Sequence, residues 1–120
     1  MKKYLLLVIC LFALLTTPCY AASSSSQVGK TADAAIASGF GYLTSIIVVN
    51  DGTNAVTIVA YDNASEASGS KLFTAVIFPA SATNRFGVLT FGPEECPFRN
   101  GVYVDITTSG TATYDVFYHR

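Results

Sequence analysis

The sequence predicts an all-β fold: a small antiparallel β-sandwich, jelly-roll-like, with about six strands after a signal peptide and a Ser/Ala-rich linker. Three observations carry this expectation. From Gly39 onward, short runs rich in β-branched and aromatic residues alternate with clusters of Gly, Asn, Asp, Ser and Pro, the pattern of strands and turns. No helical stretch separates these runs, which argues against a βαβ architecture. The 120 residues are 51% hydrophobic and 12% charged with a formal net charge of -1, a balance that folds as one domain and excludes an acidic disordered tail or a basic nucleic-acid arm.

The N-terminus reads as an export signal over residues 1–21. Met1, Lys2 and Lys3 form a positive start, and Leu5 to Leu15 is continuously apolar, long enough for a signal core and too short to span a bilayer. Thr16, Thr17 and Pro18 break the run, and Cys19 and Ala21 place small residues where a signal peptidase reads, so cleavage is expected after Ala21. Lipidation at Cys19 is the competing reading, disfavoured because Pro18 precedes the cysteine. Cleavage leaves five basic residues (Lys30, Lys71, Arg85, Arg99, Arg120) against eight acidic ones, a mature charge of -3, with Cys96 as the single thiol. An intramolecular disulfide is then ruled out although the compartment is oxidising, periplasmic or extracellular. The mature chain has no expected transmembrane span, and the lack of a Lys/Arg cluster argues against a nucleic-acid partner.

Residues 22–38 are rich in Ser and Ala and are expected to be a flexible linker. The β-sandwich domain is placed at 39–120. Tyr42 to Val49, with Ile46, Ile47, Val48 and Val49 in a row, is a poor helix and a good buried strand. Asp51-Gly52 turns the chain into Ala55 to Tyr61, where Val56, Ile58 and Ala60 share one face. Asp62 to Ser70 is a polar loop, Lys71 to Phe78 the third strand and Arg85 to Phe91 the fourth, with Gly87 marking a bulge or a close backbone approach. Gly92 to Pro97 reads as a loop. Val102, Val104 and Ile106 alternate in the fifth strand, and Ala112, Tyr114, Val116 and Tyr118 in the sixth.

The second faces are apolar for a solvated surface: Val59 and Tyr61, Phe73 and Ile77, Leu89 and Phe91, Tyr103, Phe117. With few charges to solvate them, they point to self-association as a homo-oligomer, a trimer being favoured.

Catalytic and metal chemistries find little support. Gly29-Lys30-Thr31 lacks the glycine a phosphate-binding loop needs five residues earlier, where Ser24 stands. Ser68 and Lys71 have the spacing of a nucleophile motif but open a strand, not a helix. A Ser/His/Asp set would need His119, next to the terminus, with Asp105 or Asp115. Asp51 with Asn54, or Asp62, Asn63 and Glu66, offer oxygens without a known cation spacing, and turn formation explains them. Asn63-Ala64-Ser65 has the form of a glycosylation sequon. No enzyme activity, metal or cofactor is expected.

The segments Ser38 to Leu43, Val48 to Asn50, Val59 to Ser65, Ser68 to Leu72, Asn100 to Val104 and Ala112 to Tyr118 together resemble a group of small all-β proteins encoded in phage and prophage genomes, over about Lys30 to Arg120. Tyr61-Asp62-Asn63 before Ser68-Gly69-Ser70-Lys71-Leu72, and Asn100-Gly101-Val102-Tyr103-Val104, are the distinctive pieces. The resemblance implies a virion-associated or surface structural module and transfers no catalytic residue. The expected function is therefore a non-catalytic exported structural or interaction module. A carbohydrate-binding sandwich is the alternative, with a surface glycan as partner. Tyr61, Asp62, Asn63, Tyr103, Phe117 and Tyr118 are the expected interaction surface.

Overall fold

Ile46 to Val49 sit in the longest strand, where their branched side chains suit a pleated surface. In the computed structural model, which describes residues 24–92 and 95–120, nine strands and no helix are found among the described residues. They are β1 (Ser24–Lys30), β2 (Ala34–Ser38), β3 (Gly41–Asn50), β4 (Val56–Tyr61), β5 (Val76–Phe78), β6 (Phe86–Thr90), β7 (Cys96–Phe98), β8 (Gly101–Thr108) and β9 (Ala112–His119). One sheet runs β1-β9-β3-β6, with β7 pairing the start of β3 beside β6; the other runs β2-β8-β4-β5. Every pair is antiparallel. Apart from the short β7 and the β4–β5 pair, which stays in the second sheet, the chain alternates between the sheets in the strand order of a jelly roll, as the sequence led us to expect. The signal segment 1–21, its cleavage at Ala21 and Cys19 lie outside the described residues.

The segment 24–38, expected to be a flexible linker, instead forms two edge strands. Backbone pairing explains this better than side-chain burial does: β9 and β8 each need a partner for their outer N–H and C=O groups. Ser24 pairs with His119 and Gln27 with Val116, and then a bulge at Gly29 lets its N–H donate to Asp115 Oδ1 at 2.6 Å. In β2 the register slips between Ala35 and Ala37, which leaves Ile36 unopposed and turns Ile36 and Ala37 both inward, 5% and 6% exposed. The hydroxyl of Tyr114 closes the connection by donating to the Ala32 carbonyl at 2.8 Å.

Between the sheets lie Leu43, Ile46 and Val48 of β3, Val56, Ile58 and Ala60 of β4, Phe98 of β7, Val102 and Val104 of β8, and Tyr114, Val116 and Tyr118 of β9. Each large apolar side chain taken fully out of water here contributes about 1.5–3 kcal/mol before the entropy of ordering it is charged. The β3/β9 register shifts between Leu43 and Ser45, so the inward phase passes from odd positions to Ile46, Val48 and Asn50. Three sequence expectations shift in detail. The third strand contracts to β5, with Lys71 retained only as an isolated bridge to Tyr61, while Leu72 and Phe73 turn onto the core. The loop containing Pro97 supplies β7. Gly87 is no bulge: it pairs with Val48 in unbroken register, and the ring of Phe78 lies where its side chain would be.

Two outcomes follow for purified protein. Gly87→Ala drives a methyl into the Phe78 ring and lowers unfolding free energy by about 1–3 kcal/mol, and adding Phe78→Leu recovers part of the loss in denaturant melts. Removal of β1, by starting the chain at Thr31, lowers the melting temperature relative to a chain starting at Ala22, whereas loss of a mere linker leaves it unchanged.

Candidate functional site

On the outer face of the second sheet, Tyr61 of β4 stands directly opposite Tyr103 of β8, and the Lys71 ammonium lies 6.0 Å from the Tyr61 ring centroid. Asp105 follows two residues along on the same face. Asp33 accepts the Ile106 N–H at 2.9 Å and approaches Asp105. Burial foremost, then the charge and hydrogen bond of Asp33, raise the Asp105 carboxyl above its ordinary range against the opposing pull of Lys71.

Asp62 and Asn63 come close to this pair in sequence but are spent on the backbone. Asp62 Oδ1 accepts N–H groups of Arg99 at 2.9 Å, Asn100 at 2.7 Å and Gly101 at 3.4 Å, clamping the turn that enters β8. Asn63 Oδ1 accepts the Ser65 N–H at 2.9 Å while its amide donates to Ser68 Oγ at 3.0 Å, a side-chain-built turn. The remaining two expected contact residues fall elsewhere. Phe117 lies half-buried on the outer face of the other sheet. Tyr118 is a core residue, 6% exposed and edge-on to Phe98, because it shares the inward phase of Tyr114 and Val116. The six residues therefore do not form one surface, and Tyr118 is not available to a ligand.

A different patch, missed in the sequence, occupies the outer face of the first sheet. Ile47 pairs with Val88 and Val49 with Phe86 across β3 and β6. Phe86, Val88 and Val49 are 55%, 47% and 42% exposed, and Phe117 lies diagonal to Ile47 on β9. Leu89 and Phe91, expected on this face, pack toward the core instead, Phe91 against Phe73 at 5.4 Å between ring centroids. Both phases of Phe86 to Phe91 are apolar, so alternation alone does not decide which turns inward. The Phe78 ring over Gly87 decides it. Val59, also expected outside, is closely covered.

The polar side chains with catalytic or ligating potential have internal partners. His119 Nε2 meets Glu95 Oε2 at 3.1 Å and its ring stacks on Tyr42, while Asp115 holds Gly29 and Asp105 lies on the opposite sheet. No serine, histidine and aspartate come together as a triad among the described residues. Cys96 donates its thiol to the Leu72 carbonyl at 3.4 Å, and burial, with Asp62 secondarily, raises its pKa. At the turn after β3, Asp51 Oδ1 accepts the N–H groups of Thr53 and Asn54, both at 2.8 Å. Its Oδ2 accepts the Asn54 amide at 2.9 Å and the Thr111 N–H at 3.1 Å. These donors, Asn54 foremost, hold the Asp51 carboxyl well below its ordinary value of 3.8.

A carboxyl whose pKa is depressed on folding stabilises the fold above its unfolded pKa and loses that contribution as pH falls below it. Asp51→Asn is therefore expected to lower the melting temperature at neutral pH, with the gap to wild type narrowing as pH drops below about 4; melting curves across that range provide the check.

Compared with models of known protein families and with curated protein sequences, the chain matches none.

Proposed function

We propose that this protein is a non-catalytic, exported structural or interaction module of phage or prophage type that associates with copies of itself through the outer face of its first sheet. The observation that carries the reading is the patch of Ile47, Val49, Phe86, Val88 and Phe117. It is built from two directly opposed apolar pairs and reaches the sheet edge at β6. Contiguous apolar surface on a soluble chain marks a contact face. Around a threefold axis, the patch of each copy meets those of two others, so a homotrimer covers all of them in a closed assembly. The proposed export, to the periplasm or the cell exterior, is supported by Lys2, Lys3, the apolar run from Leu5 to Leu15 and the small residues before Ala22.

A glycan-binding sandwich is the second reading. What favours it is the opposed Tyr61 and Tyr103 beside Lys71 on the other sheet, two aromatic side chains next to a donor.

Light scattering on the chain from Ala22 separates the two. Self-association gives a discrete oligomer at low micromolar concentration, and Val88→Glu converts it to a monomer with its melting transition retained. A wild-type monomer at all concentrations overturns the assembly reading and leaves the Tyr61–Tyr103 face as the one to probe with sugars.

A further inference from the structure

At one end of the first sheet, β3 and β9 run out into their turns and enclose an open cleft of about 490 Å³. Thr31, Thr111 and Thr113 line it, Val49 supplies apolar wall, and Arg85 and Asp51 bring the two charges. Arg85 is anchored through its backbone, whose carbonyl accepts the Asn50 N–H at 2.8 Å. Its side chain crosses Gly52, where an added Cβ would stand 2.7 Å from Nε. Gly52 also has a φ of 80°, so a side chain there is both strained and in the way of the guanidinium.

Arg85 makes no ion pair and no side-chain hydrogen bond among the described residues. Its guanidinium therefore has a full fork of donors to offer. Asp51 does not compete for it, since both carboxylate oxygens are occupied by the donors of its own turn and Thr111. Asp51 still contributes a fixed negative charge to the cleft. With Arg85 and Asp51 the lining carries no net charge, so an anion is held by the guanidinium fork alone, and the larger desolvation cost of a phosphate dianion is less well compensated than that of a single carboxylate. The three threonine hydroxyls have no hydrogen-bond partner within the described fold and can pair with ligand hydroxyls, while the exposed Val49 suits the C–H face of a ring.

We propose that this cleft binds a carboxylate-bearing sugar, with Arg85 holding the carboxylate through paired N–H donors and the threonines reading the ring hydroxyls. The ligand is an acidic monosaccharide, either free or at the end of a glycan chain. This site is separate from the Tyr61–Tyr103 face but shares Val49 with the proposed contact patch, so the titration is run on the monomeric Val88→Glu variant as well as on the wild type.

The test is amide chemical-shift titration of the chain from Ala22 with N-acetylneuraminic acid, glucuronic acid, sialyllactose, neutral glucose and inorganic phosphate. The acidic sugars should give saturable shifts at Gly52, Thr111 and Thr113, with dissociation constants of about 1 mM, as expected for a small open site. Stronger binding of sialyllactose than of the free acid identifies a glycan terminus; the reverse identifies the free sugar. Arg85→Gln should weaken binding by at least about tenfold, the loss of one charge-assisted pair, with the rest of the spectrum unchanged, and Arg99→Gln should have no effect. Saturation by glucose or phosphate as strong as by the acidic sugars overturns the proposal. So does the absence of saturable shifts with every acidic sugar, or undiminished binding by the folded Arg85→Gln variant.

Discussion

Antiparallel pairing between the two halves of the chain, nested around the Asp62 to Ser70 loop, is the constraint from which the other features follow. The pairs run outward from the Tyr61–Lys71 bridge through Val56–Phe78, Ser45–Thr90, Gly41–Phe98 and Ala34–Val104 to Ser24–His119. The result is in effect one long hairpin. Rolled up, it brings β3 beside β9 and β4 beside β8, and these second pairings close each sheet. Because side chains alternate with period two, a slip of one residue anywhere would expose a strand's core face. The shifts that do occur lie near Gly29, Ile36 and Thr44, and at Ile36 and Thr44 each re-aims the side chains that follow it. At Ile36 the result is two consecutive inward residues, and at Thr44 a change of phase that keeps Leu43, Ile46 and Val48 all in the core.

The roll also explains where the polar side chains went. Each corner leaves backbone N–H groups without a ladder partner, and unpaired donors in a packed corner are costly. Asn50, Asp51, Asp62 and Asn63 accept from them through side-chain oxygens. Acidic and amide residues that would look like ligands or catalytic groups in sequence are thus occupied in holding corners. At the corner held by Asn50 and Asp51, the Arg85 side chain has no hydrogen-bond partner among the described residues.

Much of this was legible in the chain. The strands after Gly39, the antiparallel class and the inward sets of β4, β8 and β9 follow from alternation that a reader can count, and the structure keeps them. What stayed hidden has a common cause, namely that the deciding interaction involves no side-chain pattern. β1 opens with three serines, has Val28 as its one large apolar residue, and is recruited by the bare backbone of β9. β6 is apolar in both phases, so its orientation depends on Phe78, a residue from another strand, lying over Gly87. Tyr118 is a different case: it shares the inward phase of Tyr114 and Val116, and although it lies near the chain end, where fraying is the usual expectation, pairing with both β1 and β3 holds β9 to its end and keeps that ring inside.

The edges of the two sheets are unequally protected, and this bears on where a partner would sit. An edge strand exposes a row of N–H and C=O groups that can template pairing with another chain unless something interrupts it. β1 carries the Gly29 irregularity, β2 its own register slip, β5 is only three residues long and β7 contains Pro97, which lacks a donor. β6 has none of these devices: it is regular over Phe86 to Thr90 and carries Phe86 and Val88 on its solvent side. The least guarded edge therefore borders the most apolar face. A contact formed there can combine burial of Phe86, Val88 and Val49 with main-chain bonds to β6, whereas a contact at any other edge must work against a bulge, a proline or a short strand. That asymmetry is the physical argument for placing the proposed self-contact on the first sheet and leaving the Tyr61–Tyr103 face open.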